Sequence, residues 1–381
     1  MGEGRVTPVP HVCCKKHMMR KLTLQQEPLK GENAMEGKMK VAVMKGIRDM
    51  QMEERPIPTP KDDEVLVKIE YVGVCGSDLH FFEAGRIGNW IVKDDLVLGH
   101  ESGGTVVEVG KNVEDLKVGD RVALEPGVGC GKCEMCKKGL YNLCPDMDFM
   151  AVPGQRDGVF LEYYAHPAKM CFKLPDNVDT MEGGLMEPLS VGLHAVNLSG
   201  AKMGQSAVVL GCGCIGLVTI MSLKAAGIDE IYAVDVIEKR LNKAKEVGAM
   251  EIINGRDVDA VKYIQEKTNG GADLVFETAG TEFTTLQTGK MVAKGGSVTL
   301  VGMTPNAEIT YDIGSLSAQE AVLHTVFRYR NLYPMAIKLV SQGKIPLKSI
   351  VSHVFDFKDI IEGVNYNIDN KADVIKAVIK M

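Results

Sequence analysis

The stretch "SAVVLGCGCIGLVTIMSLKAAG" constrains this chain more than any other. An apolar run is followed by Gly211, Gly213 and Gly216 at G-x-G-x-x-G spacing, with Ile215 inside the turn, and then by a helical pattern. A strand, a glycine turn and a helix in that order open a βαβ unit. The glycines permit a tight turn, close approach of the backbone to a pyrophosphate, and close helix–strand contact. The helix start adds free N–H groups and the positive end of its dipole. Asp235 ends the next strand, where an acid hydrogen-bonds ribose hydroxyls and repels a 2′-phosphate. That favours NAD over NADP. Arg240 follows, placed to pack near the adenine.

Strands and helices alternate from 187 to 330, as in "IYAVDV", "GADLVFETAG" and "GGSVTLVG", which implies a parallel, doubly wound sheet. Residues 39–186 have another texture. Short strands such as "EVLVKIEYVGV" alternate with period two between glycines and prolines, the pattern of a β-rich, barrel-like domain. "KSIVSHVFDF" reads as a strand, and residues 331–381 are expected to pack back on the first domain. Residues 1–38 have no apolar periodicity and no continuous apolar stretch of a secretory signal; they are expected to be a disordered extension in which Cys13 and Cys14 have no function. The chain's 381 residues suit two domains. Its net charge of −6 argues against nucleic acid as a partner. No window is apolar over the roughly 18 residues a membrane helix needs, so no membrane partner is expected. Its ten cysteines cluster, which suits metal binding in an intracellular, cytoplasmic enzyme better than a disulfide scaffold.

"CGKCEMCKKGLYNLC" places Cys130, Cys133, Cys136 and Cys144 in one short lobe. Four thiolates suit a closed tetrahedral zinc of structural role, although the spacing also admits an iron–sulfur cluster. A second constellation lies in "CGSDLHFFEAGRIGNWIVKDDLVLGHE", where Cys75, His100 and Glu101 offer sulfur, nitrogen and oxygen. Three protein ligands leave one position on zinc exchangeable, the arrangement of a catalytic site. Alone the trio is ambiguous; beside a dinucleotide fold the catalytic reading is favoured.

From Met39 to the end the chain resembles the zinc-containing medium-chain dehydrogenases, and within them the polyol branch of sorbitol (L-iditol) and xylitol dehydrogenases. The resemblance rests on that last segment and on "GDRVALEPGVGCGKC", "MEPLSVGLHA", "LGCGCIG" and "FRYRNLYP". It implies an α/β protein with a GroES-like catalytic domain and a Rossmann domain. It implies two Zn²⁺ per subunit, one catalytic on Cys75, His100 and Glu101 and one structural on the four cysteines, with NAD as cofactor. Glu187 would stand near the metal, on its water or as an alternating ligand. Ser77 and His80 match a proton relay to solvent, and Arg328 and Tyr329 match residues lining the polyol pocket. Most relatives are homotetramers. One departure is that Phe81 and Phe82 stand where the branch often carries an aromatic hydroxyl. The expected reaction is oxidation of a polyol to a ketose. Dehydrogenases of 2,3-butanediol, L-threonine or other secondary alcohols are the alternative, and a non-catalytic nucleotide- or zinc-binding protein is the alternative of another class.

Overall fold

A computed structural model describes residues 36–304 and 308–381; residues 1–35 of the expected extension, with Cys13 and Cys14, lie outside the described residues. The first part is built of strands. β1 (Lys38–Gly46), β2 (Asp49–Pro56) and β3 (Glu64–Gly73) lead into helix α1 (Gly76–Ala84). A small hairpin, β4 (Arg86–Ile87) and β5 (Trp90–Ile91), precedes β6 (Leu96–Val97), β7 (Glu101–Val109) and β8 (Arg121–Leu124). β9 (Gly127–Val128) and β10 (Asp148–Phe149) bracket the cysteine lobe with its short helix α2 (Glu134–Lys137). β11 (Tyr163–Pro167) and β12 (Cys171–Lys173) complete this part.

Helix α3 (Thr180–Ser199) follows, and the expected boundary near residue 187 falls inside it. Asp179 caps its start and accepts the Glu182 N–H, while Gly200 closes its end in the left-handed conformation. The second part then alternates: β13 (Ser206–Leu210), α4 (Cys214–Ala225), β14 (Glu230–Asp235), α5 (Glu238–Glu246), β15 (Glu251–Asn254), α6 (Ala260–Lys267), β16 (Ala272–Glu277), α7 (Glu282–Met291), β17 (Val292–Leu300), α8 (Ile313–Gln319) and β18 (Val322–Thr325). The chain ends with α9 (Tyr333–Ser341), β19 (His353–Asp356), α10 (Ile360–Asp369) and β20 (Ala377–Lys380).

Two large sheets carry most of the strands, beside a three-stranded sheet in the order β2-β1-β6 and the pairs β9-β10 and β4-β5. The second part forms a six-stranded parallel sheet in the order β15-β14-β13-β16-β17-β18. Its order reverses between β13 and β16, which is where a doubly wound sheet opens a crevice at the strands' carboxyl ends. The other sheet runs β12-β8-β7-β3-β20-β19, with β11 also on β3. β20 lies antiparallel to β3, pairing Val378 with Gly73, so the chain's tail is a strand of the first sheet. β3 is central, and only Lys68 of its residues is exposed. Its period-two pattern therefore does not mark a solvated face, because the strand is covered on both sides. α3 joins the halves: its Leu185, Met186, Leu189 and Leu193 share one core with Ala123, Leu217 and Tyr333. Among the described residues no helix is long and apolar enough to cross a membrane.

Candidate active site

Cys75 is the N-cap of α1, and Asp78, three residues on, accepts the Cys75 N–H at 3.4 Å. The other Asp78 oxygen accepts the Gly99 N–H at 3.1 Å and lies 3.3 Å from His100 Nδ1. One buried carboxylate thus ties the start of α1 to the turn carrying His100. With its Nδ1–H toward Asp78, the imidazole keeps Nε2 for a cation. Glu101 opens β7 opposite Gly73. A Cβ at Gly73 would lie 2.0 Å from Glu101 Oε2, so a glycine is required for the carboxylate to fold back over β3. One ligand atom each from Cys75, His100 and Glu101 then fall within 4.8 Å of one another.

Glu187 reaches this cluster from α3, and small residues let the helix come close. A Cβ on Gly103 of β7 would sit 2.1 Å from the Thr180 carbonyl, and one on Gly184 would sit 3.0 Å from the Glu101 carbonyl. Burial pushes Glu187 up to about 7, with Glu101 adding and His100 opposing. Burial also works against protonation of His100, but the Asp78 and Cys75 charges outweigh it and hold it well above its ordinary value. Lys376, just before β20, is ion-paired with Glu101 and donates to the Val74 carbonyl at 3.1 Å. Burial lowers its pKa, yet Glu101, Cys214 and Cys75 carry it above the ordinary lysine value. Cys75 and Glu101 both act on the single lysine, and Asp78 faces His100, so acidic groups converge where the three ligand atoms meet. The sulfur–nitrogen–oxygen donor set, gathered within 4.8 Å, fits Zn²⁺. Ser77 Oγ lies 3.3 Å from Cys75 Sγ, and His80, one turn along α1, is exposed. Phe81 and Phe82 are both buried in the core of the first sheet.

The loop between β18 and α9 brings Arg328 and Tyr329. The Arg328 guanidinium lies 3.8 Å from the Phe149 ring centre, with Phe327 at 5.0 Å and Trp90 at 6.0 Å. Burial lowers Arg328 to about 10, with Tyr329 and Glu187 opposing. The Tyr329 hydroxyl is buried and makes no well-aligned hydrogen bond, with Glu187 and Tyr333 its nearest polar neighbours. Burial and the Glu187 charge hold that phenol well above its ordinary pKa.

The glycine turn adjoins the cluster. Gly211 has φ of 93°, and a Cβ on Gly216 would sit 1.9 Å from the Gly211 carbonyl oxygen. A Cβ on Gly213 would meet nothing within 4 Å, and no side chain caps α4 there. Backbone N–H groups at an uncapped helix start beside open space fit a phosphate-bearing cofactor. Ile215 lies half-buried in the first turn. Burial pushes Cys214, the first residue of α4, up to about 12; Lys376, Glu101 and Cys75 all act on it. Asp235 accepts N–H groups of Cys212 (2.7 Å), Val236 (2.7 Å) and Ile237 (2.9 Å), which fixes the glycine turn to the end of β14. Arg240 turns to the tail and donates to the Lys371 carbonyl, while Lys239 pairs with Asp373 at 2.5 Å.

The four lobe cysteines also lie within 4.8 Å of one another. Backbone N–H groups donate to the sulfurs of Cys144, Cys130 and Cys133, each at 3.4 Å. Cys133 and Cys144 sulfurs are 3.8 Å apart. That matches the edge of a tetrahedron with Zn–S of about 2.3 Å. N–H donors pull Cys130 down to about 6, while burial pushes Cys136 up to about 12.

Sequence reasoning missed Asp78, Lys376 and Glu125. Asp78 had a signal in its capping-box spacing from Cys75. Lys376 had one as the lone charge in the apolar run "VIKAVI". Glu125, which burial pushes up to about 7, had none.

Residues 61–176 match the alcohol dehydrogenase GroES-like domain and residues 214–342 the zinc-binding dehydrogenase domain. The chain is 46% identical over 335 residues to an uncharacterized zinc-type alcohol dehydrogenase-like protein, YdjJ, of Escherichia coli (strain K12), covering 87% of this chain and 96% of the relative. It is 38% identical over 342 residues to a sorbitol dehydrogenase of Bacillus subtilis (strain 168), covering 90% and 97% respectively. A crystal structure of an Escherichia coli oxidoreductase of unknown specificity superposes with a TM-score of 0.87 at 44% identity, over 90% of this chain and 99% of that one. Fold and site together define a zinc-dependent oxidoreductase that uses a nicotinamide cofactor. The chain belongs to the zinc-containing medium-chain dehydrogenases, in their polyol branch.

Proposed function

We propose that the protein oxidises a polyol such as sorbitol, L-iditol or xylitol to a ketose with NAD. The observation that carries this reading is the buried Tyr329 hydroxyl, which makes no well-aligned hydrogen bond and stands beside Arg328 and the Glu187 carboxyl. A substrate with several hydroxyls satisfies such groups, whereas a monohydric alcohol leaves them desolvated and unpaired. Cys75, His100 and Glu101 would hold one zinc and the four lobe cysteines a second, and sulfurs gathered within 4.8 Å suit a single ion better than a cluster of several irons. When bound, the first zinc supplies Lewis acidity toward a hydroxyl and NAD supplies a hydride acceptor. Ser77 accepts the hydroxyl proton as it passes its own toward His80, which is exposed on the same helix and gives up a proton to solvent. Glu187, buried beside His100 and Glu101, would stand by that zinc, on its water or as an alternating ligand. Gly211, Gly213, Ile215 and Gly216 cradle the pyrophosphate. Asp235 keeps one acceptor direction on Oδ2 for ribose, and its charge disfavours a 2′-phosphate. Arg240 shapes the adenosine end through its bond to the tail. Residues 39–186 and 331–381 serve as the catalytic domain and 187–330 as the NAD-binding domain. A homotetramer and a cytoplasmic location complete the reading, the first by family resemblance.

A substrate panel tests it. With NAD, sorbitol, xylitol or L-iditol should give a higher kcat/KM than 2,3-butanediol, L-threonine or 2-propanol, and NADP should be the poorer acceptor. Turnover of 2,3-butanediol with all three polyols inert would contradict the proposal.

A further inference from the structure

We propose that Tyr141 and Asn142, at the end of the cysteine lobe, are positioning residues that clamp the loop carrying Arg328 and Tyr329. The inference rests on the polyol reading above. It begins with the loop's backbone. Arg328 has φ of 56°, in the left-handed region that a long side chain disfavours, and Asn331, of a type that tolerates that region, has φ of 57°. Something outside the loop must hold that conformation. The lobe does so on both sides of the Arg328–Tyr329 pair. Asn142 Nδ2 donates to the Phe327 carbonyl at 2.9 Å, and Asn142 Oδ1 accepts from Arg330 Nη1 at 3.2 Å. The Asn331 N–H donates to Tyr141 Oη at 2.7 Å, and Asn331 Nδ2 donates to the Gly139 carbonyl at 3.0 Å.

The clamp is itself anchored. Tyr141 Oη, which accepts from Asn331, donates its proton to Glu125 at 2.5 Å. Glu125 is buried and follows directly on β8, so the chain of bonds runs from the first sheet through Tyr141 to the loop. Asn142 is buried too, and Tyr141, Asn142, Glu125, Phe149, Arg328 and Tyr329 line one small cavity. The lobe therefore does more than stabilise itself: its last turn sets where two polar groups of the substrate pocket stand.

Tyr141→Phe keeps the ring but cannot bridge Asn331 and Glu125. Asn142→Asp keeps the acceptor for Arg330 but loses the donor to Phe327. In the zinc-loaded enzyme each should raise KM for the polyol about three- to tenfold, the effect of losing one or two neutral hydrogen bonds, with kcat and KM for NAD unchanged. Trp90 is the chain's one tryptophan and lies by Arg328, so its emission in the substrate-free variants should also shift. Unchanged polyol KM and unchanged Trp90 emission in both variants, while Tyr329→Phe raises that KM, would overturn the clamp and leave the substrate reading standing. Tyr329→Phe without effect on polyol KM would remove both.

Discussion

Lys376 shows how much one side chain can decide in this site. It is 3% exposed, its partner Glu101 is 1% exposed, and neither is solvated if the other is lost. Breaking a buried pair by removing one partner typically costs about 3–5 kcal/mol, because a charge is left uncompensated. Lys376→Met should lower the urea-unfolding stability of the metal-free protein by that order, and the double variant with Glu101→Gln should recover much of it. An unchanged unfolding midpoint would show that the pair is not buried as described. A second residue gives a pH signature. His166 is fully buried, with Nε2 2.8 Å from the Glu125 carbonyl and Nδ1 3.4 Å from Arg156. Burial lowers its pKa to about 3, whereas an unfolded histidine titrates near 6.5. Between those values the unfolded chain binds a proton that the folded chain refuses. The histidine's contribution is therefore complete above about pH 6.5 and is lost as pH falls, by roughly 1.4 kcal/mol per unit. His166→Gln should flatten the stability–pH curve between about pH 6 and pH 4; a curve as steep as that of the wild type would contradict this.

Among the elements, the contact of α3 with β7 matters most, because it puts Glu187 beside His100 and Glu101. Gly103→Ala would set a methyl 2.1 Å from the Thr180 carbonyl, which is backbone and cannot swing aside. Overpacking of this kind costs about 1–3 kcal/mol. The variant should lose both thermal stability and kcat, with zinc content retained; a wild-type kcat would mean that Glu187 is not positioned by this contact. The same contact marks the limit of what the chain's order reveals. Local spacing makes the glycine turn, the cysteine lobe and the Cys75, His100 and Glu101 trio legible, since each motif lies within a short segment. The approach of Gly103 to Thr180, the reach of Lys376 to Glu101 and the bonds of Tyr141 and Asn142 to the loop of Arg328 join residues far apart in sequence, and no periodicity encodes them. The central position of β3 was hidden for a related reason: its period-two alternation marks a strand but not its neighbours, which come from segments far along the chain.

The whole molecule gathers two different sets of metal-ligand side chains among its described residues. The lobe offers four sulfurs, three of which accept backbone N–H groups, a closed set that would give up an ion slowly. The other cluster offers three protein ligands and adjoins the glycine turn. Brief dialysis against a chelator should therefore abolish turnover while about one zinc per subunit and the folded state remain. Loss of both ions together, with unfolding, would contradict the division into an open and a closed site.

That division is tested most directly by Cys75→Ser, with zinc per subunit, NAD binding and polyol oxidation measured on the same preparation. The expected result is zinc reduced from about two to about one per subunit, NAD bound as in the wild type, and no detectable turnover. Undiminished turnover in this variant would contradict the assignment of Cys75, His100 and Glu101 as the metal site at which the reaction occurs.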